Sequence, residues 1–280
     1  MIGYKNRQRL LLCRHYLLTA IVLFIVGFPL YWMVITSLKP PGEIFDVPPK
    51  LFPAHPTLNN YKELFLLTDF ARFFFNSFKV SIGTTIIALS AATLGAYSLT
   101  RFKYRGREIF GRSILLSYMF PGALMVIPLV VLLSKIHLTN SHLGLSLAYT
   151  TFSLPFSLWV LKGFFSGIPI ELEEAAMIDG SSRLGAFFDV VLPQALPGII
   201  ATGIFTFIWA WNEYLFALIL ISDESLKTLP PGIMGFIDAT NVNWGLIMAA
   251  SVLITLPMAI FFMFIQKQLV TGIGAGGVKG

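Results

Sequence analysis

Long apolar stretches separated by short polar segments dominate the pattern of hydrophobic and polar positions along the chain. A helix needs about 20 apolar residues to cross the roughly 30 Å hydrocarbon core of a bilayer. Stretches of that length occupy approximately residues 17–38, 77–100, 113–134, 143–165, 196–221 and 246–266. Membrane barrels show short alternating segments instead. The pattern therefore predicts an all-α integral membrane protein with six transmembrane helices, which form a single transmembrane domain over residues 1–280.

Composition excludes a soluble domain. Hydrophobic residues make up 56% of the chain and charged residues only 12%, whereas soluble domains carry roughly 25% charged residues. We attribute the net charge of +6 to the membrane topology of the chain and not to nucleic-acid binding, because Lys and Arg accumulate in the cytoplasmic loops of membrane proteins. The lone Cys13 excludes an internal disulfide framework. The four scattered histidines have no metal-ligand spacing, so we expect no metal site. The spans suggest no Ser/His/Asp or paired-carboxylate arrangement, so we expect no catalytic residues.

The cations predict the orientation of the chain. Four lie before the first span, at Lys5, Arg7, Arg9 and Arg14, and five follow the second span, at Arg101, Lys103, Arg105, Arg107 and Arg112. Positive charge marks the cytoplasmic side, so both termini are expected in the cytoplasm. The proline-rich segment at residues 39–75 then lies outside, as a surface linker or as a docking surface for an external partner.

The cytoplasmic loop at residues 168–193, between spans four and five, is predicted to form two short helices joined by a tight turn. Gly180 can adopt the left-handed conformation that ends a helix, and Ser181 or Ser182 can cap the next one. That second helix is expected to end before Pro193, since a proline disfavours helical geometry in the residue that precedes it.

This loop resembles the signature of ABC-importer permeases. The signature is Glu-Ala-Ala, three residues, Gly, nine residues, Ile, one residue and Leu-Pro. In this sequence it is present as Glu174-Ala175-Ala176, Gly180, Val190 in the isoleucine position, and Leu192-Pro193. Segments beginning at Ser37, Thr57, Leu154, Trp211 and Gly272 are also similar to the MalG-like carbohydrate-import family. The chain is thus similar to that family, the binding-protein-dependent transport system inner membrane components, from end to end.

The resemblance implies a function, partners and a site. The chain would be the permease subunit of an ATP-driven sugar or oligosaccharide importer in a bacterial or archaeal plasma membrane, and not an enzyme. Its partners would be a second homologous permease, two ATP-binding subunits, an extracytoplasmic solute-binding protein, the lipid bilayer and a sugar, with no nucleic acid. ATP and Mg would be held by the ATP-binding subunits, with no cofactor in this chain. The residues implied in coupling to the ATPase are Glu174, Ala175, Ala176, Asp179, Gly180, Leu192 and Pro193, on a coupling helix.

A second candidate site lies within span five. Trp209, Asn212, Glu213 and Phe216 recur at helical spacing, which would place them on one stripe. A charge in mid-bilayer is costly and usually faces a partner or an aqueous cavity, so the stripe predicts a lining for the substrate pathway. A buried hydrogen bond between subunits or an interfacial aromatic anchor would also explain it. The alternative function is an ion-coupled secondary transporter that uses Glu213.

Overall fold

Helices are the regular elements of the computed structural model, which describes residues 2–236 and 242–276. In chain order they are α1 (Ile2–Ser37), α2 (Pro41–Ile44), α3 (Asn59–Leu67), α4 (Phe70–Arg101), α5 (Arg107–Ser117), α6 (Gly122–Lys135), α7 (His142–Ser166), α8 (Ile170–Ile178), α9 (Arg183–Ala186), a π-helical turn (Phe187–Val191), α10 (Leu192–Asn212), α11 (Leu215–Leu220), a 3₁₀ turn (Glu224–Leu226), α12 (Leu229–Met234) and α13 (Trp244–Gly276). The last four residues of the glycine-rich tail, 277–280, lie outside the described residues.

The long apolar helices confirm the predicted membrane fold. Five of them are long and apolar enough to span a bilayer, and the pair α5 and α6 supplies a sixth span if it is counted as one. The spanning segments are Leu11–Ser37, Phe70–Arg101, His142–Ser166, Arg183–Asn212 and Trp244–Phe264. The second span is longer than predicted, because α4 begins at Phe70 and takes in residues that the sequence assigned to the preceding loop.

The third span is not the continuous helix predicted at residues 113–134. It is broken into α5 and α6, which meet at an angle of 104°. Pro121 occupies the N-cap of α6 with extended backbone geometry (φ −60°, ψ 122°). A proline has no N–H to continue the preceding helix and disfavours helical geometry in the residue before it. The chain therefore turns at this position, while Pro128 is accommodated inside α6.

The chain divides into two compact units, of which the first contains residues 1–69 and 235–256. Its proline-rich segment is folded around buried polar side chains. The Lys39 ammonium donates to the carbonyl of Lys50 at 2.7 Å and lies 4.6 Å from the centroid of the Trp32 ring. The Asn60 amide donates to the carbonyls of Ser37 at 2.8 Å and Lys39 at 2.9 Å. This segment is thus a folded element with its own polar core.

The second unit contains residues 70–234 and 257–280, and its core lies between α4, α7 and α10. Glycines let these helices approach closely, as small residues do between membrane helices. A Cβ atom on Gly95 would lie 2.7 Å from Leu158, and one on Gly203 would lie 2.8 Å from Leu89. The same packing brings the ends of α4 and α7 together, and α8 follows directly from that end of α7.

Replacing Asn60 with Ala should destabilise the first unit, because two buried carbonyls would lose their donor. An unsatisfied buried polar group costs about 1–3 kcal/mol, so the apparent melting temperature of the purified protein in detergent should fall. Asn59→Ala is the matched control, since the neighbouring Asn59 side chain is exposed. Equal melting temperatures for the two variants would contradict this assignment.

Candidate functional site

The helix α8 and the turn that follows it form as the sequence predicts. Gly180 has φ +96°, and the backbone closes the helix with bonds from Ser181 N to Ala176 O at 3.0 Å and from Gly180 N to Met177 O at 3.2 Å. This pair of bonds is a Schellman motif, which satisfies the terminal carbonyls of a helix. Ser182 then caps α9, accepting from Gly185 N at 3.1 Å. The local sequence thus specifies a short helix and a sharp reversal.

The second helix of this loop does not end before Pro193, contrary to the prediction. It continues from Arg183 to Asn212 as one long apolar segment. The π-helical turn at Phe187–Val191 makes this possible, since Leu192 N bonds to Phe187 O, one residue further back than in an α-helix. Pro193 falls in the first turn of α10, where a missing N–H is tolerated. One helical segment therefore joins the loop to span five without a break.

A buried ion pair holds the inner face of α8 against the end of α4. Glu173 is 2% exposed, and its carboxylate accepts from Arg101 Nε at 2.9 Å and from the Tyr97 hydroxyl. Arg101 also donates from Nη2 to the carbonyl of Ile168 at 3.0 Å. A buried charge is tolerated only when it is paired and hydrogen-bonded, and here both charges are. Sequence reasoning missed this contact, because it counted Arg101 only among the cations that set topology.

The opposite side of α8 is open. We call this the outer face of α8 and define it by the exposed residues Glu174, Ala175, Ile178 and Asp179. Ile178 is 85% exposed. Gly180 is exposed as well, Ala176 is half-buried, and of the two more distant coupling residues Leu192 is half-buried and Pro193 exposed. Leu184 on α9, 70% exposed, extends the apolar surface. Most of the residues implied in coupling are therefore accessible to another protein.

The predicted stripe in span five is broken at its centre. α10 ends at Asn212 and α11 begins at Leu215, so the helical spacing does not continue from Trp209 to Phe216. The Glu213 carboxylate accepts backbone N–H groups of Phe216 at 3.0 Å and Ala217 at 3.3 Å. It thereby caps the first turn of α11, where free N–H groups favour a negative charge. This cap explains the acid within span five without an ion or a solute.

The stripe residues separate accordingly. Phe216 is buried and its ring lies 5.0 Å from that of Phe152. Asn212 is exposed, and its amide donates to Ile208 O at 2.7 Å. Trp209 faces a cavity of about 390 Å³, which we call the aromatic cavity. The rings that line it are Tyr118, Phe120, Phe152, Phe156, Phe205 and Trp209. One residue of the predicted stripe thus reaches a cavity, together with aromatic residues that sequence spacing did not connect.

The described residues, 2–236 and 242–276, contain no cluster of metal-ligating side chains. Among them, no group of three or more His, Cys, Asp or Glu side chains is arranged to hold a metal ion.

Comparisons with known proteins extend over nearly the whole chain. Residues 85–274 match the family model described as binding-protein-dependent transport system inner membrane component. An inner membrane ABC transporter permease of Escherichia coli (strain K12) is 36% identical over 277 residues, which cover 98% of this chain and 99% of the relative. A diacetylchitobiose uptake system permease of Streptomyces coelicolor is 38% identical over 263 residues, which cover 94% of this chain and 95% of the relative.

A solved structure shares the fold. The crystal structure of a bacterial ABC transporter involved in the import of the acidic polysaccharide alginate matches with a TM-score of 0.83 at 21% identity, over 93% of this chain and 97% of that chain. At this identity the likeness shows that the two chains have a common helical arrangement.

Glu173→Gln should destabilise the protein, because it leaves Arg101 without a counter-charge at a site where the Arg101 side chain is 6% exposed. Breaking a buried ion pair in this way costs about 3–5 kcal/mol. The measurement is the apparent melting temperature of the purified chain in detergent.

The matched control is Glu174→Gln, the same chemical change at the exposed neighbouring position, which should leave the melting temperature unchanged. Equal melting temperatures for both variants would show that the ion pair does not hold α8 in place.

Proposed function

This chain belongs to the family of binding-protein-dependent transport system inner membrane components, and on that premise we propose that it is a sugar-importing permease whose α8 couples it to an ATPase. It is a membrane transport subunit and not an enzyme. The observation that carries the proposal is the difference between the inner and the outer face of α8. Its inner face is tied to α4 through the buried pair of Arg101 and Glu173. Its outer face offers a partner the small and apolar side chains of Ala175 and Ile178 beside two carboxylates.

Coupling follows from this geometry. The outer face carries Ala175, whose small side chain lets a partner surface approach closely, and Ile178, whose apolar side chain is available for burial. A movement of the docked partner displaces α8, and the ion pair passes that displacement to α4, while the continuous helix that begins at Arg183 passes it to span five. The ATPase states must bind this face with different free energies, because a partner without a preference shifts no equilibrium.

The partners and location of the proposed transporter follow the family resemblance. A second homologous permease pairs with this chain, and two ATP-binding subunits, which hold ATP and Mg, dock on the cytoplasmic side. A solute-binding protein delivers the solute from outside. Both termini and α8 lie in the cytoplasm of a bacterial or archaeal cell, as the basic segments indicate.

A sugar or oligosaccharide is the proposed solute. The relative from Streptomyces coelicolor is named for the uptake of diacetylchitobiose, and the aromatic cavity, at about 390 Å³, falls within the usual range of small-molecule sites. Aromatic rings pack against the apolar faces of sugars. Trp209 contributes to this lining, whereas Glu213 is engaged in the cap of α11. The ion-coupled secondary transporter that would use Glu213 has no support in this family.

Ala175→Trp should prevent docking of the ATPase, because a bulky ring on the outer face of α8 blocks close approach. The complex is purified from its native host through a tag on this chain, and ATP hydrolysis in the purified material is measured. We expect at least a tenfold loss, which corresponds to about 1.4 kcal/mol of docking free energy. Ala54→Trp, an exposed alanine in the proline-rich segment, should retain full hydrolysis, and wild-type hydrolysis by Ala175→Trp would refute the docking role.

Solute identity and energy source are tested together in vesicles that contain the purified complex. With the binding protein present, a disaccharide should stimulate ATP hydrolysis and uptake, and an amino acid should not. Dissipating ion gradients with ionophores should leave uptake intact as long as ATP is present. Uptake that persists without ATP and collapses with the ionophores would favour the ion-coupled mechanism instead.

A further inference from the structure

A second cavity, of about 650 Å³, lies between α4, α5 and α7. We call it the cationic cavity. Most of its lining is apolar, including the buried side chains of Leu99 and Leu158, and Trp159 borders it with 59% of its surface exposed. Its charged lining consists of Arg112 and Lys162. Neither the aromatic cavity nor the outer face of α8 shares these residues.

Within the described residues, the two cations of this cavity have no acidic partner. Arg112 and Lys162 make no hydrogen bond or ion pair with the part of the chain that the structure describes. Two nearby acids are engaged elsewhere, since Glu173 pairs with Arg101 at 2.9 Å and Glu108 with Arg107 at 3.3 Å. The Lys162 ammonium comes within 3.9 Å of the Cβ position on Gly111, the residue before Arg112. Two positive charges therefore line one apolar cavity without neutralisation.

The cavity lies at the end of the spans that leads into α8. Leu99 is two residues from the end of α4 and Lys162 is four residues from the end of α7. Tryptophan is enriched at the boundary between hydrocarbon and headgroups, and Trp159 at the edge of this cavity fits that position. α5 buries none of its residues and combines exposed apolar side chains such as Ile109 with cations, a pattern typical of helices that lie in the membrane interface.

We propose that the cationic cavity binds an anionic phospholipid, with an acyl chain in the apolar part and the phosphate against Arg112 and Lys162. Basic pockets between membrane helices are suited to anionic headgroups, and an acyl chain matches walls formed by Leu99 and Leu158. A water-soluble phosphate would leave those walls uncovered. The proposal goes beyond the transport role, since neither the sugar nor the ATPase takes part in it.

The test is native mass spectrometry of the intact transporter, titrated with dioleoyl phosphatidylglycerol. We expect saturable binding of this lipid, weaker binding of dioleoyl phosphatidylcholine and no binding of glycerol phosphate. Each surface cation contributes about 1 kcal/mol to the attraction of an anionic lipid. The double variant Arg112→Gln/Lys162→Gln should therefore bind about thirtyfold more weakly, at 1.4 kcal/mol per tenfold.

Two further variants separate a built site from diffuse attraction. Lys103→Gln/Arg105→Gln removes the same charge from the adjacent basic loop, outside the cavity lining, and should leave binding unchanged. Gly163→Leu keeps both cations and fills the cavity, because a Cβ at Gly163 meets no atom within 4 Å, and it should abolish binding.

Equal losses in the two charge variants would overturn the proposal in favour of a general electrostatic effect. The absence of phosphatidylglycerol from the wild-type complex would overturn it in favour of a protein surface covering the cavity. ATP hydrolysis, recorded in parallel, distinguishes loss of lipid from loss of assembly.

Discussion

A carboxylate that is almost fully removed from water is stabilised by a positive charge beside it, and Arg101 supplies that charge to Glu173 at the junction between the spans and α8. The pair has little access to solvent, and both side chains have further hydrogen-bonding partners in Tyr97 and the carbonyl of Ile168. Removing either partner would leave a buried charge uncompensated. The orientation of α8 therefore depends on this contact, since whatever fixes Glu173 inward also turns Ala175 and Ile178 outward.

The breaks in spans three and five belong to a common arrangement. Tyr118 and Phe120 lie where α5 gives way to α6, and Trp209 lies in the last turn of α10 before the break at Glu213. Both breaks thus contribute to the aromatic cavity. Irregular backbone at membrane depth is tolerated where it lines a cavity or is otherwise satisfied, and the Glu213 carboxylate satisfies two of the freed N–H groups of α11. Glu213 therefore stabilises the break in span five beside the aromatic cavity.

The cations at the α8 end of the molecule have different environments. Arg101 is neutralised inside the protein, whereas Arg112 and Lys162 line an apolar cavity without an acid from the part of the chain that the structure describes. A charge that is paired within the chain positions an element, and a charge left without a partner attracts an anion from outside. This end of the second unit therefore combines the exposed outer face of α8, proposed as a docking face, with the cavity proposed to hold a lipid headgroup.

Apolar runs of about 20 residues located the spans by themselves, apart from the breaks within spans three and five, because only a helix satisfies every backbone group locally within hydrocarbon. The turn at Gly180 was equally predictable, since a positive φ favours glycine and the Schellman bonds span few residues. The signature around Glu174 also sufficed to indicate the family.

Two departures from regular helix and one contact between distant parts of the chain were decided only by the three-dimensional structure. The spacing of the sequence predicted that Glu213 lies within a continuous helix. In the structure the helix is broken there, and the Glu213 carboxylate accepts the N–H groups of the first turn of α11. The π-helical turn that carries the chain past Pro193 was not apparent from propensity. The pairing of Glu173 with Arg101 joins residues 72 positions apart, and no local pattern records which of several acids and cations will be buried together.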